Sequence, residues 1–299
     1  MKYMENTVKI KKSHSISDIL IIMFIGVLAV ITIFPFYNVV IVSFASMNSL
    51  AEHSLYLLPY AFDLTGYVNL IKEESFYRSF LISVIVTVVG VSFNMLLSVS
   101  GAYALSKKGM PGRNIFLGAI LFTMFFNGGL IPYYLVVQSL GLVNSIWAMI
   151  IPTGVSTTYL IIMKNYFNTL PESIEESAKI DGANDLVILI KIILPISKPF
   201  IATFLLFYAV DRWNDWWYAL IFISDTAKAP LQIFLREMLI NFNTQLNSSA
   251  QAVIDQSRSI FVQTTQMATI VISAIPMLCI YPFLQKHFAK GIMIGSIKE

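Results

Sequence analysis

Charge is scarce in this chain: Asp, Glu, Lys and Arg make up 12% of its 299 residues, about half the share of an ordinary soluble domain. Hydrophobic residues make up 57% and mean hydropathy is +0.72, more than a soluble core of this length needs, so membrane lipid is the first partner implied. The single cysteine, Cys279, rules out an intrachain disulfide framework, and its place in an apolar run reads as a small core residue. His14, His53 and His287 stand far apart without metal-ligand spacing, so no metal site is expected. No G-x4-G-K-[ST] phosphate loop is present, so the chain cannot bind ATP in that manner. No serine–histidine or paired-carboxylate arrangement argues for catalysis. The net charge of +3 is too small to point to nucleic acid.

What is abundant is apolar sequence in long runs. Six stretches are long enough to cross a hydrocarbon core of about 30 Å, which takes roughly 20 helical residues each. They lie near 18–45, 77–105, 114–139, 146–167, 197–223 and 266–285. The apolar stretch from Ile19 to Phe44 is far longer than the core of a signal peptide and reads as a span. The chain therefore reads as an all-α polytopic membrane protein. One transmembrane domain covers 18–290, between tails 1–17 and 291–299, and short helices are expected in the outer loops 46–76 and 224–265.

The basic residues orient it. The first tail, the loops 106–113 and 164–198, and the end 286–299 hold 14 of the 20 Lys and Arg, whereas the opposite loops hold Lys72, Lys228, Arg236 and Arg258. The positive-inside rule places both termini and the 164–198 segment in the cytoplasm.

One polar stretch interrupts the apolar pattern: EESAKIDGANDLVILIKIILP, residues 175–195. Thr169-Leu170-Pro171-Glu172 reads as a helix start, with Thr169 a capping candidate, proline near the first turn and acids at the positive helix end. Ile174, Ala178 and Ile180 can share one side, with Glu175, Glu176 and Lys179 elsewhere. Gly182 suits the left-handed residue that closes a helix. Asn184 or Asp185 then starts a second helix through Leu186, Ile190 and Ile193, which Pro195 ends. The expected unit is helix, glycine turn, helix within a loop over 168–198.

Its spacing resembles the EAA loop of ABC importer permeases, E-A-A-x3-G-x9-I-x-L-P. Glu176, Ser177, Ala178, Gly182, Ile192, Leu194 and Pro195 fall on the pattern, Ser177 replacing an alanine. FFNGGLIPYYLVVQSLGL (125–142), SIWAMIIP (145–152), RWNDWW (212–217) and PLQIFLREML (230–239) are similar to carbohydrate-uptake permeases, in particular the branch serving oligosaccharides from complex polysaccharides. The resemblance runs from about residue 70 onward. It implies a type I importer permease in the cytoplasmic membrane of a prokaryote. It also implies a loop whose residues, here Glu175, Glu176, Ser177, Ala178, Asp181, Gly182, Ile192, Leu194 and Pro195, form coupling helices docked on an ATP-hydrolysing subunit. The partners implied are two such subunits carrying ATP and Mg, a second permease of a different sequence, and an extracellular solute-binding protein. This chain would bind no cofactor of its own.

Asp211-Arg212-Trp213-Asn214-Asp215-Trp216-Trp217 places charge inside the fifth span, where a charged side chain costs about 2.5–3.5 kcal/mol on insertion scales. Two readings stand. Asp211, Arg212 and Asp215 can pair to hold helices together, or Asp211, Trp213, Asn214, Asp215 and Trp217 can line a sugar path, with rings against pyranose faces and amides or carboxylates on hydroxyls. Asn127-Gly128-Gly129 and Pro132 break the third span, which a membrane tolerates inside protein or beside a wet cavity. Tyr133 and Tyr134 would face that cavity or pack on a neighbour. The intramembrane carboxylates also fit an ion-gradient-driven secondary transporter. That class typically shows an inverted repeat, which is not visible here, and it leaves the EAA spacing unaccounted for.

Overall fold

The computed structural model describes residues 16–46, 49–50, 56–58, 60–247, 263–280 and 282, with the side chains of 241–247 excepted. The three histidines, nearly all of the first tail and all of the last lie outside these residues. Among the described residues the fold is helical, without strands; an isolated antiparallel bridge pairs Ala45 with Phe62.

Two compact units divide the chain, one of residues 1–66 with 251–271 and the other of 67–250 with 272–299. The first contains α1 (Ile16–Ser43). This helix is apolar on every side and buries none of its most hydrophobic 18-residue window, the pattern of a helix made for lipid. Its end is tied down: Tyr37 Oη donates to Leu57 O at 2.7 Å, Asn38 Nδ2 donates to Tyr56 O at 3.0 Å, and Phe44 stacks on Phe62 with centroids 5.0 Å apart. Asp63 then starts α2 (Thr65–Lys72), accepting from the Thr65 N–H at 2.8 Å. The Thr65 hydroxyl and N–H together hold the Asp63 carboxyl below its usual range.

The second unit is organised around α3 (Glu74–Ser106), 33 residues long. Its buried face carries small residues at nearly every fourth position: Ser79, Ser83, Gly90, Asn94, Ser98 and Ala102. Such a stripe lets backbones approach where lipid supplies no hydrophobic drive between helices and contact must come from close packing. Against it lie α7 (Thr157–Phe167) and α10 (Lys198–Trp213), in one core with Leu160, Met163, Phe167, Phe204 and Tyr208.

The apolar runs are less continuous than their composition implies. Among the described residues, three helices are long and apolar enough to cross a membrane: α1, α3 and a helix at Gln263–Ile280, α13. A fourth candidate is the pair α9 (Asp185–Ile196) and α10, bent by 90° at Ser197. The expected span 114–139 is two shorter helices, α4 (Arg113–Phe125) and α5 (Leu130–Ser139), parted at Asn127-Gly128-Gly129 as the sequence suggests. Gly129 has φ +87°, a conformation closed to most side chains, and its N–H is held by Asn127 Oδ1 at 2.9 Å. The run 146–167 is likewise α6 (Trp147–Ile150) and α7, parted by residues 151–156. The run 197–223 is α10 and α11 (Trp217–Phe222), parted at 214–216. The outer-loop helix α12 spans Leu231–Asn247. Cys279 is exposed rather than a packed core residue, as is the neighbouring Leu278 of α13.

Candidate functional site: a polar helix pair and a bound break in the membrane helices

The polar segment forms α8 (Glu172–Ile180) followed by α9. Pro171, not Thr169, is the residue before the first turn; the Thr169 hydroxyl instead donates back to Tyr166 O at 2.8 Å. Gly182 closes α8 with φ +84°, its N–H donating to Lys179 O at 3.0 Å. Asn184 starts α9, its Oδ1 accepting from Val187 N–H at 2.9 Å. Pro195 does not end that helix. The preceding turn Leu189–Ile193 widens to π-helical spacing, and Leu194–Ile196 continues through the proline to the bend at Ser197. A proline has no N–H to return, and a wide turn immediately before it absorbs the mismatch.

The faces of α8 depart from the expected arrangement. Ala178 is buried, and Glu175 is turned inward with a side chain only 18% exposed, paired with Lys107 at the end of α3. Ile180, expected on the apolar side, is 86% exposed, and its neighbours Glu176 and Asp181 are exposed as well. Leu186 and Ile190 of α9 are also exposed, whereas Ile188 and Ile193 are fully buried. Ile192 and Leu194 are half-buried against the core, and Ser177 bonds back to Ser173 O at 2.9 Å. The result is an outward surface of apolar side chains rimmed by acids. Lys108–Glu172 at 2.6 Å and Lys179–Asp185 at 3.1 Å add surface pairs, and Lys108 lowers the Glu172 carboxyl pKa by hydrogen bond and charge. A cavity of about 840 Å³ opens between α8 and the turn at Lys107–Arg113.

The break between α6 and α7 leaves helix-end groups that lipid cannot satisfy. Arg212 of α10 satisfies most of them. Its Nε donates to Asn94 Oδ1 at 2.8 Å, one terminal nitrogen to Met149 O and Thr153 Oγ1, and the other to Ile150 O at 3.2 Å and Thr153 O at 2.7 Å. Asn94 Nδ2 also donates to Thr153 O, at 2.7 Å. The Tyr208 hydroxyl accepts from the Ser156 N–H at 3.0 Å and bonds the Ser98 hydroxyl at 2.7 Å. Gly90 leaves the space: a Cβ there would lie 3.1 Å from Arg212 Nε. None of the ion pairs among the described residues includes Arg212, so the expected Asp–Arg pairing is replaced by a guanidinium bound to carbonyls.

Around this knot the sugar-path candidates separate. Trp213 is 4% exposed, packed among Leu70, Phe76 and Leu231, and its Nε1 donates to Ser273 O at 3.1 Å. Its ring is a core element and offers no face to a ligand, which corrects the expectation. Asp211 and Asn214 are exposed; Asp211 accepts from Tyr159 Oη at 3.0 Å, and Asn214 Nδ2 returns to Val210 O of its own helix. Asp215 is half-buried and faces the Tyr218 N–H at the start of α11. Tyr133 and Tyr134 pack on Phe222 with centroids 5.9 and 5.8 Å away. Trp217 stays 47% exposed, edge-on to Trp216. Asn127 is exposed at the α4–α5 break. Tyr159, Tyr208 and the Thr153 loop make contacts here that the sequence reading missed; Pro152-Thr153-Gly154 inside an apolar run was the available signal.

No protein-family model matches the chain. It is 43% identical to LplC of Bacillus subtilis, over 96% of each chain. It is 44% identical to YtcP of the same organism, a permease protein of a polygalacturonan/rhamnogalacturonan transport system, over 94% of this chain and 98% of that one. Its fold superposes with TM-score 0.82 on a chain of a bacterial ABC transporter that imports the acidic polysaccharide alginate, at 33% identity, over 92% of this chain and 98% of that one. Identity of 43–44% to these relatives along nearly the whole chain, with the same fold as the alginate importer chain, places this protein in the sugar-permease family of ABC transporters.

Proposed function

We propose that the chain is one of two permease subunits of an ATP-driven importer for oligosaccharides derived from acidic polysaccharides. The substrate class is carried over from the relatives, which serve polygalacturonan/rhamnogalacturonan and alginate. The observation that carries the coupling role is the outward surface of α8 and α9: Ile180, Leu186 and Ile190 left bare, rimmed by Glu176 and Asp181. An apolar patch with a charged rim on a short, well-anchored helix pair is what a docking contact needs.

On this reading six spans cross the cytoplasmic membrane of a prokaryote, the third, fourth and fifth of them broken, with both termini and 168–198 in the cytoplasm. Two ATP-binding subunits hold Mg and ATP, and one of them docks on α8. A second, different permease completes the path, and an extracellular solute-binding protein delivers the sugar. Asn127, Tyr133, Tyr134, Asp211, Asn214, Asp215 and Trp217 belong to the polar layer beside the path, with Trp213 supporting it from behind. The test is uptake of oligogalacturonates into proteoliposomes containing the four-subunit complex and binding protein. Uptake that needs ATP and persists when ion gradients are collapsed is expected. Uptake that follows an ion gradient without ATP defeats the reading.

A further inference from the structure

We infer that Glu175 and Lys107 form a positioning clamp that delivers movement of the coupling helix to α3. The inference rests on the docking role proposed above for the opposite face of α8.

Consecutive glutamates point opposite ways: Glu176 is exposed, whereas both carboxylate oxygens of Glu175 bind Lys107 Nζ. The side chains of the pair are 18% and 26% exposed, so this contact is largely withdrawn from water. Lys107 follows the last residue of α3, where a cation meets the negative helix end. Its Nζ also sits 3.9 Å from the centroid of the Tyr103 ring. Tyr103 in turn meets Phe167, the last residue of α7, edge-on at 6.0 Å. Three helix ends, those of α3, α7 and α8, therefore converge on one charged contact.

Three residues beyond Glu175, Ala178 lies on the same face of α8 and packs into the core built on α3. Glu176 and Ile180, four apart, share the outward face. By covalent connection alone, α8 would act only on α7 and α9. The clamp adds α3, which is 68 residues away in sequence and carries the Asn94–Arg212 contact further along. The neighbouring pair Lys108–Glu172 is 84% and 71% exposed and supplies an internal control, because such surface pairs contribute little.

The experiment measures sugar-stimulated and basal ATPase activity per assembled complex in proteoliposomes. Lys107→Glu and Glu175→Lys are each expected to lower the stimulated-to-basal ratio about tenfold, within the usual range of coupling between sites. The double exchange, Lys107→Glu with Glu175→Lys, is expected to restore it to within about twofold. Reversing Lys108 or Glu172 leaves the ratio unchanged. Glu175→Gln keeps the shape and one acceptor, and its partial loss of coupling serves where a reversal prevents assembly. Single variants that couple as wild type, or an assembled double exchange that stays uncoupled, overturn the clamp. Glu176→Lys in the same assay separates the two ideas: if it uncouples while the Lys107 and Glu175 variants do not, only the clamp fails. If Glu176→Lys also couples normally, the docking role itself fails.

Discussion

Replacing Arg212 by methionine removes a side chain whose N–H groups join three separate parts of the fold. The magnitude can be worked from what each acceptor keeps. Met149 O retains the Thr153 hydroxyl at 2.9 Å, and Thr153 O retains Asn94 Nδ2 at 2.7 Å. Ile150 O and Asn94 Oδ1 have no other donor given by the structure, and burial without a partner costs about 1–3 kcal/mol per group. Two orphaned acceptors thus give about 2–6 kcal/mol. A second route sums the five guanidinium bonds at about 0.6 kcal/mol each, the average between membrane helices, and reaches about 3 kcal/mol. Removing the desolvation penalty of a buried cation offsets part of the loss and argues for the lower half of the first range. A destabilisation of about 3 kcal/mol corresponds to a fall of about 6–12 °C in melting temperature, using the slope for chains of 150–250 residues. The assay is thermal unfolding of the purified complex in detergent. Adding Asn94→Leu removes one orphan, Asn94 Oδ1, but takes the remaining donor from Thr153 O, so the double variant should melt close to Arg212→Met, short of the sum of the two single losses. A melting temperature within 1 °C of wild type, equivalent to about a third of one kcal/mol, would refute the reasoning.

Trp213→Ala should behave as a core truncation, costing about 3–5 kcal/mol and lowering melting, whereas Asn214→Ala should leave melting unchanged and act on uptake per complex. Gly182→Pro, forced to φ near −65° where the structure needs +84°, should abolish sugar-stimulated ATPase activity in a protein that still inserts, checked by copurification with the ATPase subunit. A cysteine at Ile180 should react with impermeant maleimide only from the cytoplasmic side and be protected when the ATPase subunits are bound. One at Asn69 should react only from outside; reversed labelling would overturn the orientation.

Local features of the sequence translated well into structure. Gly182 and Asn184 were readable because a positive φ and a side-chain cap involve neighbours within three residues. Asn127-Gly128-Gly129 was readable because two adjacent glycines after an asparagine, followed by Pro132, favour a break over a continuous helix. The misreadings share a different cause. Whether Glu175 or Glu176 points outward depends on Lys107, and no periodicity within a nine-residue helix contains that information. Arg212 suggested a partner carboxylate four or fewer residues away, but its acceptors lie 59 to 118 residues away. The breaks in the fourth and fifth runs carry local signals, Pro152-Thr153-Gly154 and Asn214-Asp215, but the apolar residues around them, Ile151, Val155, Trp216 and Trp217, keep each run long enough to read as one span. Pro195 misled for the opposite reason: it is a strong local signal, overridden by a wide turn that the sequence does not announce.

The two sites share one mechanical element. Asn94 and Lys107 are both on or at the end of α3, 13 residues apart in number and thus about 20 Å along a helix. No proline interrupts α3, and its two internal glycines are wedged rather than loose. A Cβ at Gly90 would press on Arg212, and one at Gly101 would touch Leu160 at 3.4 Å. The helix runs without interruption through this stretch. The broken helices, by contrast, are those nearest the exposed polar residues Asp211, Asn214 and Asn127. Rigidity and interruption are therefore divided between elements: α3 is continuous from the contact that holds α8 to the contact that holds the break. A displacement of α8 that leaves Lys107–Glu175 intact consequently has a direct route to the Thr153 loop, without passing through the bend at Ser197.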